Sequence, residues 1–152
     1  MKKYRLTEET TKVGNRPLYR IQALRDFGNV KEGDIGGYIE SEKNLSQDGN
    51  AWVYGNARVS GNACVYGNAR VYGNADIKTT GDICSMSGFG SEYRTTTAFR
   101  TKNGDVHVSC GCFQGNLEAF CQRVESTHGN NLYGREYKKM IEMLKIHFEV
   151  EP

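Results

Sequence analysis

The stretch GNARVSGNACVYGNARVYGNAD, Gly55 to Asp76, repeats itself every six residues. Val59, Val65 and Val71 mark one phase, which Val53 extends backward and Ile77 and Ile83 extend forward. Ala57, Ala63, Ala69 and Ala75 mark a second phase two residues earlier, and Ala51, Leu45 and Ile39 continue it toward the N-terminus. A period of six matches neither the alternation of a strand nor the 3.6-residue turn of a helix. Two inward phases, one bulky and one small, imply strands of a few residues separated by sharp corners. The Gly-Asn pair supplies each corner, because both residues tolerate positive φ.

The motif N-A-x-V-x-G resembles the hexapeptide-repeat family over roughly residues 36–88. That resemblance implies a left-handed parallel β-helix in which three hexads make one coil, so that this chain holds about three coils. Coils stacked every eighteen residues, about 4.8 Å apart, would bring Trp52 over Arg70, Tyr54 over Tyr72, and Arg58 over Asp76. Each buried Val or Ile would contribute about 1.5–3 kcal/mol. So short a solenoid leaves both cross-sections open, and they need caps.

The flanking segments are the candidate caps, with a second copy of the chain as another. Residues 3–27 read as a hairpin, YRLTEETTKV and LYRIQALRDF, turning at Gly14-Asn15. YRTTTAFRT and VHVSCGCF read as a second hairpin around Asn103-Gly104. Asn116 is placed to cap a helix carrying Leu117, Phe120, Cys121 and Val124, which ends at Gly129. A last helix carries Tyr137, Met140, Ile141, Leu144 and Phe148 on one face. The expected organisation is therefore mainly β. It has an N-terminal hairpin and lead-in (1–35), the short left-handed β-helix (36–88) and a C-terminal ββαα unit of α+β type (89–152).

Composition narrows the function classes. Twenty Lys and Arg against eighteen Asp and Glu give a formal charge of +2, which argues against a protein that wraps nucleic acid and against an acidic DNA mimic. No apolar run approaches the ~18 residues of a membrane span, and MKKYRLTEETTKVG has no apolar core of a signal peptide. The five cysteines are odd in number and fit reduced thiols in a cytoplasm.

Trp52, Tyr54, Arg70 and Tyr72 would share one outward face, and aromatics beside an arginine are what interfaces and stacked ligands use. The plain alternative is that tyrosines cover the surface of a β structure. Arg94, Arg100, Lys102 and Arg135 form a secondary basic patch candidate, with a solvated surface as its alternative. His107, Cys110, Cys112 and Cys121 have weak metal spacing. Buried thiols packed on Phe120 are the preferred reading, so neither a metal nor a cofactor is expected. Hexapeptide-repeat acyltransferases use a histidine on or near the coils, but the three histidines here, His107, His128 and His147, all lie beyond the repeat. No catalytic residue can be carried over.

LYRIQALRDF, GDIGGYIESEKNLS, VSCGCFQGNLEAF and THGNNLYGREY resemble small uncharacterised proteins of phages and prophages. The resemblance implies a non-enzymatic module in the host cytoplasm that inhibits a host-defence component, such as a CRISPR nuclease, by direct binding. Homo-oligomers, dimeric or trimeric, are expected. The alternative is an acyltransferase-like protein, or a small-molecule or nucleotide sponge, that uses grooves between subunits.

Overall fold

A computed structural model describes residues 1–150 of the chain, which divide into two compact units, Met1–Ile83 and the unit beginning at Cys84. In the first, β1 (Tyr4–Val13) and β2 (Arg16–Ala23) pair antiparallel, with register running from Tyr4 opposite Ala23 to Val13 opposite Arg16. β3 (Ile35–Ile39) adds antiparallel to β2.

The hexads then make four strands of two residues each: β4 (Trp52–Val53), β5 (Arg58–Val59), β6 (Arg70–Val71) and β7 (Asp76–Ile77). Pairing is parallel at the eighteen-residue step. Trp52 lies beside Arg70 and Arg58 beside Asp76. Backbone bonds tie the rungs: Tyr54 N–H donates to Val71 O at 2.9 Å and Ser60 N–H to Ile77 O at 2.8 Å. Both inward phases are buried as far as Ile77, and Ile83 is half-buried. Val53, Val59, Val65, Val71 and Ile77 have no exposed surface, and none of the five alanines exceeds 1%.

The expected left-handed parallel β-helix of about three coils is nevertheless not what the chain builds. Parallel pairing at β3–β5–β7 is absorbed into a five-stranded mixed sheet, ordered β1-β2-β3-β5-β7, that carries the antiparallel hairpin. A second phase gives only the two-stranded β4-β6 sheet, and the third gives a single bridge, Leu45 to Val65. No closed solenoid results. The physical reason is length. The strict repeat allows each phase about one step of eighteen residues, so neighbouring strands must come from segments outside it.

Asn44 holds the lead-in to the repeat. Fully buried, its Oδ1 accepts from the backbone N–H groups of Glu40 and Ser41 at 3.1 and 3.0 Å, and its Nδ2 donates to Ala63 O at 2.8 Å and Gly61 O at 3.2 Å. Lys3 is likewise buried, and its Nζ donates to Ala51 O at 2.8 Å.

The second unit corrects the expected ββαα order. Four strands precede the helices: β8 (Ile83–Phe89), β9 (Arg94–Arg100), β10 (Val106–Cys110) and β11 (Phe113–Asn116), in sheet order β11-β10-β9-β8. The first strand was hidden because Ile83 keeps the hexad beat, and the last because FQGN is short and holds a glycine. α1 (Leu117–Thr127) starts at Asn116, whose side chain accepts from Ala119 N–H at 2.8 Å. α2 (Leu132–His147) starts at Asn131 in the same way. Phe120, Val124, Tyr137, Met140, Ile141 and Leu144 pack with Ala98, Val106 and Val108 into one core.

Candidate functional site

On the repeat, side chains eighteen residues apart do stack. The rings of Tyr54 and Tyr72 lie 6.4 Å apart at 32°, both half-buried. Trp52 does not share their exposure. It is 4% exposed, with Phe27 packed edge-on at 5.2 Å and Tyr4 at 6.4 Å. The loop after β2 therefore covers it, and a Cβ at Gly28 in that loop would lie 3.5 Å from Arg70 Nη2. Of the four residues read as one outward face, the structure turns Trp52 into core, sets Arg70 against the covering loop and leaves the tyrosine pair. On the next face Arg58 and Lys78 meet Asp76 Oδ2 at 3.4 and 3.7 Å, while the buried Arg58 Nε and Asp76 Oδ1 make no hydrogen bond.

The basic patch candidate is divided by β9. Arg94 begins this strand and Arg100 ends it, six residues or ~20 Å away. Arg100 lies over the Phe148 ring at 5.2 Å and donates to Phe148 O. It lines a cleft of about 380 Å³ with Asp105, Glu118 and Glu149, whose carboxylates offset the cation. Lys102 sits in the exposed turn after β9 and Arg135 on the exposed side of α2.

Arg94 lines a smaller cleft of about 100 Å³, within the same unit, together with Arg123, Thr127 and His128 of α1 and its cap. Phe120, Val124 and Tyr137 are its buried floor. Arg123 lies over the Phe113 ring at 5.3 Å, and His128 stacks on Tyr137 at 5.8 Å and 21°. Tyr137 Oη is 3.7 Å from Cys110 Sγ, and burial first, then that contact, raises the phenol above its ordinary range. The sequence reading missed Arg123. Its signal was position: it stands four residues before Thr127 on the flank of the Phe120–Val124 stripe.

The thiols are dispersed. β10 ends at Cys110, which is buried and accepts from Thr96 Oγ1 at 3.3 Å. Gly111 then takes φ 59° and turns Cys112 out to solvent, so Cys112 is not one of the buried thiols expected from the sequence. Among the described residues no three of His, Cys, Asp and Glu come together as a metal site, and no helix is long and apolar enough to cross a membrane.

No protein-family model matches the chain. It is 40% identical over 62 residues to a protein of Escherichia coli (strain K12) described as the uncharacterized acetyltransferase YdcK. The likeness covers 36% of this chain and 19% of that protein, so the chain spans about a fifth of the length of the curated relative it matches. It lends weak support to the hexapeptide-repeat resemblance. The resemblance to phage proteins gains none.

Proposed function

We propose that the repeat unit binds a small acyl-donor or nucleotide-type molecule, with the Tyr54–Tyr72 pair as its stacking face and a second copy of the chain completing the groove. The likeness to an acetyltransferase-named protein carries this reading. It favours the small-molecule alternative over inhibition of a host-defence protein, for which the comparisons offer no support. The tilted Tyr54–Tyr72 pair also supports it, because two half-buried rings 6.4 Å apart offer an apolar, π-bearing surface on which a planar base can rest. The repeat holds no histidine to serve as a base, so binding is the primary readout and acyl transfer the secondary one.

The test is calorimetric titration of the full chain with acetyl-coenzyme A, coenzyme A and ATP, followed by native mass spectrometry of each mixture. Saturable binding with a homo-oligomer, weakened about tenfold in Tyr72→Ala, is the expected result. Release of free coenzyme A thiol would add turnover to binding. Absence of binding for all three ligands at about millimolar concentration would refute the proposal.

A further inference from the structure

The small cleft of the C-terminal unit collects two guanidinium groups and a histidine with no carboxylate in its lining. Among the described residues, neither the Arg94 nor the Arg123 guanidinium makes an ion pair or a hydrogen bond. Glu92, two residues before Arg94, is exposed and not part of the lining, and two other acids near the cleft have partners of their own. Glu125 pairs with Lys138 at 2.8 Å, and Glu136 accepts from Gly90 N–H at 3.1 Å.

These three side chains are also held in place. Arg123 rests on the Phe113 ring. Arg94 lies against the turn at Gly111, where an added Cβ would come within 2.9 Å of three of its side-chain atoms. His128 is stacked on the ring of buried Tyr137. Fixing the side chains beforehand removes part of the ordering cost of binding.

We propose that Arg94, Arg123 and His128 form a binding site for a tetrahedral oxyanion: phosphate, free or at the end of a small organic molecule. Size selects the ligand class. The cleft of about 100 Å³ has room for one phosphoryl group, and any organic remainder projects past its open rim. Guanidinium forks match phosphate oxygens in bidentate geometry, and Thr127 adds a hydroxyl donor at the rim. The negative end of α1 points here, since His128 is its C-cap. That opposes an anion, but its half-charge is outweighed by two full guanidinium charges. The site lies within residues 94–137, outside the repeat, and does not rest on the acyl-donor reading.

The test is calorimetric titration of the full chain with inorganic phosphate and, separately, with phenyl phosphate, at constant ionic strength in chloride. Saturable binding is expected. Arg94→Gln and Arg123→Gln, both at exposed positions, should each weaken it about tenfold or more, the loss of one charge-assisted contact. Arg135→Gln, on α2 outside the cleft, should leave it unchanged. Tighter binding of phenyl phosphate would identify a phosphate monoester as the ligand, and equal binding would identify free phosphate. Both results support the site. No saturation by either probe to about 10 mM would overturn it. So would affinity unchanged in both arginine variants whose thermal unfolding matches that of the parent protein. Tyr72→Ala should have no effect here, which separates this outcome from that of the repeat-unit proposal.

Discussion

Gly49 and Gly67 stand one eighteen-residue step apart, and they should respond very differently to the same methyl group. Both have left-handed backbone, φ 71° and 65°, so alanine at either position costs ~1–2 kcal/mol from the backbone alone. Their surroundings differ. A Cβ at Gly67 meets nothing within 4 Å, whereas a Cβ at Gly49 would lie 2.8 Å from the Gly67 carbonyl oxygen. That oxygen accepts the Asn50 N–H at 3.0 Å. To relieve the clash one corner must lift off the other, stretching a rung whose net worth is about 0.5–1.5 kcal/mol. Gly49→Ala should therefore cost about 1 kcal/mol more than Gly67→Ala. Urea unfolding followed by fluorescence reads this directly, because the chain has one tryptophan and it lies buried in this unit. With a slope of ~2 kcal/mol per molar, the two midpoints should differ by about 0.5 M. Equal midpoints, or a lower one for Gly67→Ala, would refute the stacking of these corners.

Three other outcomes follow from buried groups of the first unit. Burial lowers Lys3 from 10.5 to about 8, so between these pH values the unfolded chain holds a proton that the folded chain does not, and stability rises with pH by at most about 3 kcal/mol. Burial raises the Tyr4 phenol above its ordinary 10, so stability falls again above that pH. Denaturation across the range should show the parent chain gaining stability relative to Lys3→Met as pH rises from about 8 to 10, and a constant difference would contradict the burial of the amine. Asn44→Asp would turn a carboxylate toward the carbonyl oxygens of Ala63 and Gly61; a loss of ~3 kcal/mol or more at neutral pH, recovered in part in acid, is expected from urea midpoints. Val65→Asp buries an unpaired carboxylate at a position with no exposed surface and should unfold the repeat by circular dichroism, since that costs several kcal/mol; wild-type stability would show that Val65 does not point inward.

The sequence by itself determined which residues go inside. The hexad beat marked Val53, Val59, Val65, Val71, Ile77 and Ile83, and all but Ile83, which is half-buried in β8, are fully buried. Gly-Asn pairs determined the corners, with Gly55, Gly61, Gly67 and Gly73 all at positive φ, and Asn116 and Gly129 determined the ends of α1. These are local properties: a residue's preference for apolar surroundings or for left-handed backbone travels with it.

What only the tertiary structure decided is where each strand finds its neighbour. A two-residue strand satisfies its backbone from whatever lies alongside. β3 came from outside the strict repeat and tied it to the hairpin, which turned an expected solenoid into a mixed sheet. Trp52 read as surface because its hexad position points outward, yet the Phe27 loop closed over it. Arg94 and Arg123 are 29 residues apart in sequence and meet only because the start of β9 and the end of α1 line one cleft. No period relates such a pair, so a site of that kind is written in contacts and not in spacing.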